Sequence, residues 1–391
     1  MVIPWILIVV VALSLGVTFI GRRLIRTSRL RKPWNIAAWT GLILFFVFPI
    51  IFTALIRQFG RTSPRFVSWV IYVGLGFLSF VFFILLARDF LWFLAWIGKK
   101  ISNLLSSTNN EPDPSRRQFL LQSLNLGVIG AAAVATSYGI YEARKTPGLV
   151  ILDIPIPRLP QTFDGFKIIQ ICDIHAGLTV DRDWIEKVVE EVQKQSPDLI
   201  AFVGDMVDGS VSGLESTVAP FADLQAPFGK FFTTGNHEYY SGAIPWIEHA
   251  RVLGFDVLMN EHRKIEKNGS TIVLAGVTDY TAGQFYKDQA SDPHKAVEGV
   301  SNDEIKIMMA HQPRSLYQFG DLKIDFTMNG HTHGGQFIPW NWFATLGQPF
   351  IKGLHQWNEG LVYVSKGTGY WGPPVRLGAR SEVTVFVLRK S

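Results

Sequence analysis

At residues 330–336 the chain reads Gly330-His331-Thr332-His333-Gly334-Gly335-Gln336. Glycines on both sides of a segment indicate a tight turn or the close approach of another group. Neutral imidazole is the commonest protein metal ligand, and a His-x-His pair on a turn can offer its rings to two adjacent ions. We therefore expect the chain after about residue 150 to complete a metal site around this turn.

Similar side chains follow the other predicted strands. The strands are short apolar runs, and the residues after them can bind metals or carry protons: Asp173 and His175 after 166–171, Asp205 after 198–203, Asn236 and His237 after 230–234, His311 after 304–309, and the histidine pair after 326–329. Open α/β sheets place their sites where parallel strands end. The five strand ends therefore predict one common site.

The remaining pattern from residue 149 onward alternates short β-rich runs with helical stretches, which is typical of α/β layers. Helices are predicted at 183–194 and 243–253. Further strands are predicted at 150–154, 256–258, 263–266, 271–275, 361–365 and 382–388. The segment 276–303 is polar and irregular, and it receives no predicted role.

The candidate ligands are histidines, aspartates and one asparagine. This donor set suits Mn, Fe or Zn better than Ca or a thiolate-bound metal. Cys172 is the only cysteine, which excludes a cysteine-based zinc site and an intramolecular disulfide. Because the set is too large for one ion, we expect two ions that share one carboxylate.

The motif order across residues 173–333 is Asp-x-His, Gly-Asp-x-x-Asp, Gly-Asn-His-Glu, His and Gly-His-x-His. It resembles the calcineurin-like metallophosphoesterase superfamily. The resemblance implies an α/β fold, namely a four-layer α/β/β/α sandwich of two mixed sheets. It also implies two ligand sets that share a bridging Asp205: Asp173, His175, Asp205 and His333 for one ion, and Asp205, Asn236, His311 and His331 for the other.

The same resemblance makes His237 the residue that stabilises charge or protonates the leaving group. Two ions about 3.5–4 Å apart can lower the pKa of a bridging water and hold both oxygens of an in-line displacement. The expected nucleophile is therefore a metal-bound hydroxide, with Mn the favoured metal. His237 can lend a proton near neutral pH. Asp208 and Glu238 either orient ligands or serve only as turn or cap residues.

Charge divides the chain into two parts. Residues 1–141 contain 14 Lys or Arg and three acids, which leaves 23 basic and 29 acidic residues in 142–391. The sequence pI of about 9.2 is thus a property of the first part. The mildly acidic second part argues against a nucleic-acid partner, because proteins that bind nucleic acids usually carry a basic face.

The first part contains three long uncharged runs, 1–21, 33–56 and 66–87. Each reaches the roughly 20 apolar residues that cross a bilayer. A fourth run, 119–141, is softer and is either a further span or a cleavable signal core. We expect a three-helix transmembrane region at 1–106, a linker with the fourth apolar helix at 107–148, and a catalytic domain at 149–391.

Just before the fourth run, the chain reads Ser115-Arg116-Arg117-Gln118-Phe119-Leu120. This segment looks like a twin-arginine export motif, although an ordinary basic stop before a helix is the alternative. Residues 109–114 are typical of a flexible linker. The positive-inside rule assigns the basic loops after the first and third runs to the cytoplasm. The catalytic domain is then expected on the outer face of a bacterial cell membrane.

Two segments bear on the substrate. The aromatic segment 337–343 is either a lip that enters the membrane or holds an acyl chain, or a loop packed over the sheets. Arg376 or Arg380 could bind a phosphate bidentately. The alternatives are a structural Arg–Glu pair or a turn anchor. The ending 367–382 is similar to membrane-associated bacterial phosphodiesterases, some of which cleave the pyrophosphate of UDP-2,3-diacylglucosamine. That lipid is made on the cytoplasmic side, in conflict with the predicted orientation.

The sequence thus predicts a membrane-anchored dinuclear-metal phosphoesterase. It is expected to hydrolyse phosphodiester or phosphoanhydride bonds in a lipid or cell-envelope phosphate. A phosphomonoesterase, a protein phosphatase and a non-catalytic metal-binding membrane scaffold are the alternatives. The presence of both Asp205 and His237 favours the enzyme. No obligate protein partner is predicted.

Overall fold

The structure, a computed structural model, describes residues 2–58, 65–105 and 113–391. The chain forms two compact units, Met1–Tyr138 and Gly139–Ser391. The described secondary structure of the first unit is helical. Its long helices are α1 (Val2–Gly21), α2 (Lys32–Gln58), α3 (Arg65–Leu105) and most of α4 (Pro114–Arg144).

Two helices of the described chain are long and apolar enough to cross a membrane. They cover Arg65–Ser102 and Ser115–Arg144, and they contain the third and fourth predicted runs. The first two predicted runs also fold as helices, and Lys32–Phe48 forms a shorter apolar helix. The described part of the chain therefore contains two helices that meet the length and composition requirements of a membrane span.

Helix α3 continues beyond the third uncharged run to Leu105. Within this extension, Arg88 donates to Asp89 and Asn125. The twin-arginine-like residues lie in the first turns of α4, where Arg116 and Arg117 are exposed. Most of the predicted linker at 109–114 lies outside the described residues.

Two six-stranded sheets form the second unit. In chain order the strands are β1 (Gly148–Ile156), β2 (Lys167–Ile171), β3 (Leu199–Val203), β4 (Lys230–Thr233), β5 (Asp256–Val257), β6 (Glu261–Lys267), β7 (Ser270–Gly276), β8 (Lys306–Met309), β9 (Phe326–Asn329), β10 (Gly353–Trp357), β11 (Gly360–Val364) and β12 (Glu382–Lys390). The sheet orders are β1-β12-β2-β3-β4-β5 and β10-β11-β9-β8-β7-β6.

Both sheets are mixed. Strands β2 to β5 run parallel while β12 is antiparallel to β2. Strands β7, β8, β9 and β11 run parallel, and the edge strands β6 and β10 are antiparallel to their neighbours. The parallel strands bring their carboxyl ends to one edge of each sheet, and the candidate ligands follow those ends.

The helices of the second unit that follow α4 are α5 (Arg182–Lys194), α6 (Val211–Val218), α7 (Asn236–Ser241), α8 (Ala243–Val252), α9 (Pro293–Ala296) and α10 (Trp340–Phe343). Helices α5 to α9 bury side chains against the outer faces of the sheets, whereas α10 buries none. Trp184 and Trp246 bury their rings against the first sheet. Apolar side chains of both sheets, such as Ile168 and Phe326, form the core between them, while Leu316 covers the second sheet. The predicted four-layer α/β/β/α architecture is confirmed.

Five elements of the second unit were not predicted from the sequence pattern, namely helices α6, α7, α9 and α10 and strand β10. Helix α7 begins at Asn236 directly after a strand because the Glu238 carboxylate accepts the Gly235 N–H at the helix start. Strand β10 is an edge strand that pairs only with β11, so it lacks the apolar alternation of a core strand. The other predicted strands occur within a few residues of their expected bounds.

The second unit begins inside α4, at Gly139. The last turns of this helix pack into the sheets, where Ala143 is fully buried. Arg144 forms an ion pair with Asp181 at the start of α5. The Gly139 carbonyl accepts a hydrogen bond from the Arg376 backbone N–H. These contacts make the end of α4 part of the second unit.

Candidate metal centre

The ligand candidates share an unusual backbone conformation. Each lies directly after a parallel strand, and five of them have positive φ angles: Asp173 (54°), His175 (52°), Asp205 (56°), His331 (72°) and His333 (51°). Residues other than glycine adopt this left-handed region at a cost of about 1–3 kcal/mol each, and such residues cluster at functional sites. The strand ends therefore hold these side chains in strained positions that the surrounding fold enforces.

One cluster consists of Asp173, His175 and His333, which are all buried. The two imidazole Nε2 atoms lie 3.0 Å apart, and His333 Nε2 lies 3.6 Å from Asp173 Oδ1. His175 Nδ1 is 3.0 Å from the Asp208 carboxylate, which holds the proton on that nitrogen. The Nε2 lone pair of His175 therefore points into the cluster, as metal coordination requires.

A second cluster consists of Asp205, His311 and His331. His311 Nε2 lies 3.0 Å from Asp205 Oδ2, and its Nδ1 donates to the Val203 carbonyl at 2.8 Å. Asp205 Oδ2 also lies 3.7 Å from His175 Nε2 of the first cluster. Asp205 thus stands between the two groups and could serve both.

The buried polar atoms of the second cluster fit a metal ion. Asn236 Oδ1 is buried and has no hydrogen-bond partner among the described residues. His311 Nε2 is also buried and faces Asp205 Oδ2 without forming a hydrogen bond, because the ring donates through Nδ1 to Val203. A buried hydrogen-bond acceptor without a partner costs free energy. The lone pairs of both atoms can instead coordinate a divalent ion. The residues present therefore suit a pair of ions that share Asp205.

In these clusters, burial and neighbouring charges shift the pKa values of the candidate ligands, often in opposite directions. Burial raises the pKa of Asp173. Burial also disfavours the charged form of Asp205, but the neighbouring His311 and His237 hold its pKa well below the usual range. Burial lowers the pKa of His331 to about 3, with a further contribution from His311. Carboxylates and neutral imidazoles in a dry site are the ligand forms that bind a divalent ion.

His237 lies beside both clusters without joining the ligand sets. Its Nδ1 is 2.5 Å from Asp208 Oδ1, the same oxygen that contacts His175. Its ring packs edge-to-face on His175, with centroids 4.5 Å apart. Burial lowers the pKa of His237, but the carboxylates of Asp205 and Asp208 raise it to about 9. His237 therefore carries a proton at neutral pH.

Glu238 is fully buried beneath the ligands. Its carboxylate accepts the backbone N–H groups of Asp205 at 2.9 Å, Met206 at 2.7 Å and Gly235 at 2.6 Å. Burial and the charge of Asp205 raise its pKa to about 8. Glu238 thus fixes the backbone on which Asp205 and Asn236 stand, and Asp208 fixes two imidazole rings.

Arg376 does not have the position of a phosphate ligand. It is fully buried, and its guanidinium donates to the carbonyls of His333 at 3.1 Å and Lys366 at 2.7 Å, among others. Its Nη2 also lies 3.1 Å from His333 Nδ1. Of the roles considered for Arg376, its contacts fit that of a turn anchor rather than a phosphate ligand, because its donors support the Gly-His-x-His turn. Arg380 is exposed and lies beside Gly148 at the start of β1.

The aromatic segment after the histidine turn is partly exposed. Trp342 is 69 % and Ile338 45 % exposed, and Leu346 beyond the segment is 81 % exposed. Gln336 donates to the carbonyls of Trp371 and Pro373, which joins the turn to a second loop. The Trp371 ring lies 5.8 Å from that of His237 and is 55 % exposed.

Several residues near the site have no counterpart in the sequence-based prediction. Asp279 is fully buried and accepts two hydrogen bonds from Gln312, at 2.9 and 3.1 Å. Asp279 lies in the segment 276–303, for which no role was predicted. The Arg314 guanidinium lies over the Tyr280 ring, 5.3 Å from its centroid. A cation three residues after the ligand candidate His311 is the signal that could have identified Arg314.

Comparisons with known proteins identify the family. The family model for calcineurin-like phosphoesterases matches residues 166–335. A transmembrane protein with metallophosphoesterase domain from Danio rerio is 34 % identical, covering 84 % of this chain and 75 % of that protein. An uncharacterized metallophosphoesterase from Campylobacter jejuni is 30 % identical, covering 98 % and 97 %. One from Bacillus subtilis is 28 % identical, covering 71 % and 98 %.

The matched residues contain the ligand candidates of both clusters. Two of these relatives are at least 30 % identical and are covered by this chain over three quarters of their length or more. The mixed sheets, the buried His/Asp clusters and the comparisons agree with one another. The chain belongs to the calcineurin-like phosphoesterase family and is a metal-dependent phosphoesterase.

Proposed function

We propose that this protein is a membrane-anchored dinuclear-metal phosphoesterase that hydrolyses phosphodiester or phosphoanhydride bonds in a lipid or cell-envelope substrate. The observation that carries the proposal is the position of Asp205 between two buried ligand clusters, with His237 beside them. One ion would be held by Asp173, His175, Asp205 and His333, and the other by Asp205, Asn236, His311 and His331. Two divalent ions bound there, with manganese favoured, would activate a water and stabilise charge on the phosphate.

The protein's own residues supply the remaining steps. His237, whose pKa is raised to about 9, is protonated at neutral pH and donates its proton to the leaving oxygen. Asp208 holds the His237 ring through Nδ1, which leaves Nε2 as the donor atom. Because Asp208 also orients His175, one carboxylate aligns the proton donor with the first ligand cluster.

The substrate proposal rests on exposed apolar side chains. Ile338, Trp342 and Leu346 follow the histidine turn and are 45 % to 81 % exposed. Trp side chains are favoured at membrane interfaces, and an apolar loop next to a phosphate site suits a lipid phosphate. The pyrophosphate of a UDP-2,3-diacylglucosamine-type lipid is one such substrate, although the proposed orientation argues for an outer-leaflet or envelope phosphate instead.

The location proposal is a multi-pass bacterial membrane protein with the second unit on the outer face. It is supported by the two membrane-length helices, by the basic loops and by the name of the Danio rerio relative, a transmembrane protein. The exposed Arg116–Arg117 pair at the start of α4 agrees with export of a folded unit. A C-terminal reporter that is active only in the cytoplasm should stay silent, and a strong signal would refute this orientation.

The activity test uses the full chain in detergent, loaded with Mn²⁺. Turnover is compared between bis-p-nitrophenyl phosphate, p-nitrophenyl phosphate and a UDP-linked lipid. We expect diester hydrolysis, with His237→Ala lowering kcat by roughly 100- to 10,000-fold and Asp205→Asn abolishing Mn²⁺-dependent turnover. Asp153→Asn, at an exposed position of β1, is the matched control.

The alternatives predict other outcomes in the same assay. Hydrolysis of the monoester alone would identify a phosphomonoesterase or protein phosphatase. Unchanged turnover in Asp205→Asn and His237→Ala would reject the mechanism. Binding of Mn²⁺ without turnover of any probe would favour the metal-binding scaffold.

A further inference from the structure

Arg314 belongs to neither ligand cluster but lies in the loop that follows His311 of the second cluster. It is three residues after His311, in the helical turn Pro313–Gln318 that follows β8. Its guanidinium carbon lies 5.3 Å from the ring centroid of Tyr280, which follows β7. Both residues therefore lie at the strand edge that carries the ligand candidates, on the side of His311.

Buried contacts hold this pair in place. Gln312 donates to both carboxylate oxygens of Asp279, and Asp279 is next to Tyr280 in the chain. The backbone N–H of Arg314 donates to Gln348 Oε1 at 2.9 Å. The two loops are thus tied together below the Arg314 and Tyr280 side chains, which keeps their relative position independent of any ligand.

The positive charge of Arg314 has no carboxylate partner. Among residues 2–58, 65–105 and 113–391, no carboxylate forms an ion pair with it and its guanidinium donates no hydrogen bond. Its Nε is buried and unpaired. A buried donor without a partner costs free energy, and the fold keeps the Arg314 cation despite this cost.

The two proposed metal ions already balance the charge of the scissile phosphate, so the Arg314 cation is not needed to bind that group. Two divalent ions against the carboxylates of Asp173 and Asp205 would give about two net positive charges, which balance the attacking hydroxide and the single negative charge of a diester phosphate. A further cation at the edge of that site matches a further anion on the substrate. Guanidinium groups bind phosphoryl oxygens with charge-assisted hydrogen bonds, often in pairs.

We propose that Arg314, held over Tyr280, binds a second anionic group of the substrate next to the scissile phosphate, so that the enzyme prefers a pyrophosphate-linked substrate to a simple diester. The proposal rests on the proposed phosphoesterase function and specifies its substrate class. A carboxylate next to the phosphate has the same chemistry as a second phosphoryl group, and the probes below separate the two.

The test measures inhibition of bis-p-nitrophenyl phosphate hydrolysis by the full-length, Mn²⁺-loaded protein. The inhibitors are inorganic phosphate, inorganic pyrophosphate and phosphonoacetate, all at a fixed free Mn²⁺ concentration. The variants are Arg314→Gln and Arg314→Lys. Arg251→Gln is the matched control, because Arg251 is an exposed arginine of α8 that pairs with Glu248.

We expect pyrophosphate to bind more tightly than phosphate, and Arg314→Gln to weaken pyrophosphate by roughly 10- to 100-fold. The same variant should weaken phosphate by less than about threefold, and Arg314→Lys should restore part of the difference. Arg251→Gln should change neither constant. A larger loss for phosphonoacetate than for pyrophosphate would assign the second group as a carboxylate.

The discriminating quantity is the ratio of the phosphate and pyrophosphate inhibition constants. A merely structural role of Arg314 would weaken both inhibitors equally and leave this ratio unchanged, which would overturn the proposal. Failure of the wild-type protein to hydrolyse bis-p-nitrophenyl phosphate or any other phosphate ester would instead overturn the proposed function itself. The two failures are therefore distinguishable.

Discussion

Replacement of Arg376 by Met separates a structural role from a substrate role. Arg376 is fully buried, and burial lowers its pKa to about 10, which shows that the site disfavours its charge. The guanidinium nevertheless donates to five backbone carbonyls, those of His333, Lys366, Gly367, Gly369 and Ala379. Methionine fills much of the same space but donates no hydrogen bond.

The expected loss of stability follows from these contacts. Each buried carbonyl left without a donor costs about 1–3 kcal/mol. Methionine carries no charge that must be removed from water on folding, and this gain offsets part of the cost of the unpaired carbonyls. We therefore expect the free energy of unfolding to fall by about 3–5 kcal/mol, as for other broken buried charge networks. In a unit of this size that corresponds to a decrease in Tm of roughly 6–20 °C.

The Gly-His-x-His turn loses its support in the same variant, so Mn²⁺ affinity should fall by roughly 10- to 100-fold. Thermal unfolding and Mn²⁺ titration of the full chain measure the two effects. Arg380→Met is the control, because Arg380 is exposed and should change either quantity little. A variant with unchanged Tm and Mn²⁺ affinity, but a raised KM for the phosphate ester, would refute the structural role of Arg376.

Three further variants or conditions test other parts of the site. Gly204→Ala should destabilise the protein and weaken Mn²⁺ binding, because its Cβ would meet the Gly235 N at 2.6 Å. Gly269→Ala has a similar φ but open space around it, so denaturation should show a loss of only about 1–2 kcal/mol; equal losses would contradict the steric argument. Asp208→Asn should lower kcat by roughly 10- to 100-fold. It should also move the alkaline limb of the pH–rate profile to lower pH, because Asp208 helps to raise the pKa of His237 to about 9; an unmoved limb would exclude His237 as the proton donor. Removal of metal by EDTA should lower Tm, since ions bound only to the folded state stabilise it, and an unchanged Tm would argue against the buried site.

The layered fold was predictable because its strands carry strong local signals. The run at 199–203, before Asp205, is continuously apolar, and every residue of β3 is buried. The order of the strands in each sheet was not predictable from these signals. Strand β12 lies between β1 and β2, although more than 200 residues separate it from either one, so only the folded chain reveals that pairing.

The candidate site was also predictable only in part. The ligand candidates were identifiable because histidines and aspartates at strand ends are rare outside functional sites. The choice between the roles considered for Arg376 could not be made from the sequence, because its role depends on burial and on carbonyls from several loops, which no local pattern records. Asp279 and Arg314 were missed because their partners come from distant segments. Residues whose function depends on long-range packing were the ones that the sequence left unassigned.

The positive φ angles of five ligand candidates decide which substitutions can be interpreted. Asparagine and aspartate tolerate the left-handed region, whereas alanine does not. An alanine at Asp173 or Asp205 would remove a carboxylate and strain the backbone at once, so lost activity could not be assigned to either cause. Asparagine keeps the main-chain geometry and changes only the charge. The same backbone constraint limits which residues can replace the ligands during evolution. A lineage that lost its metals would still need residues that tolerate positive φ angles in these turns.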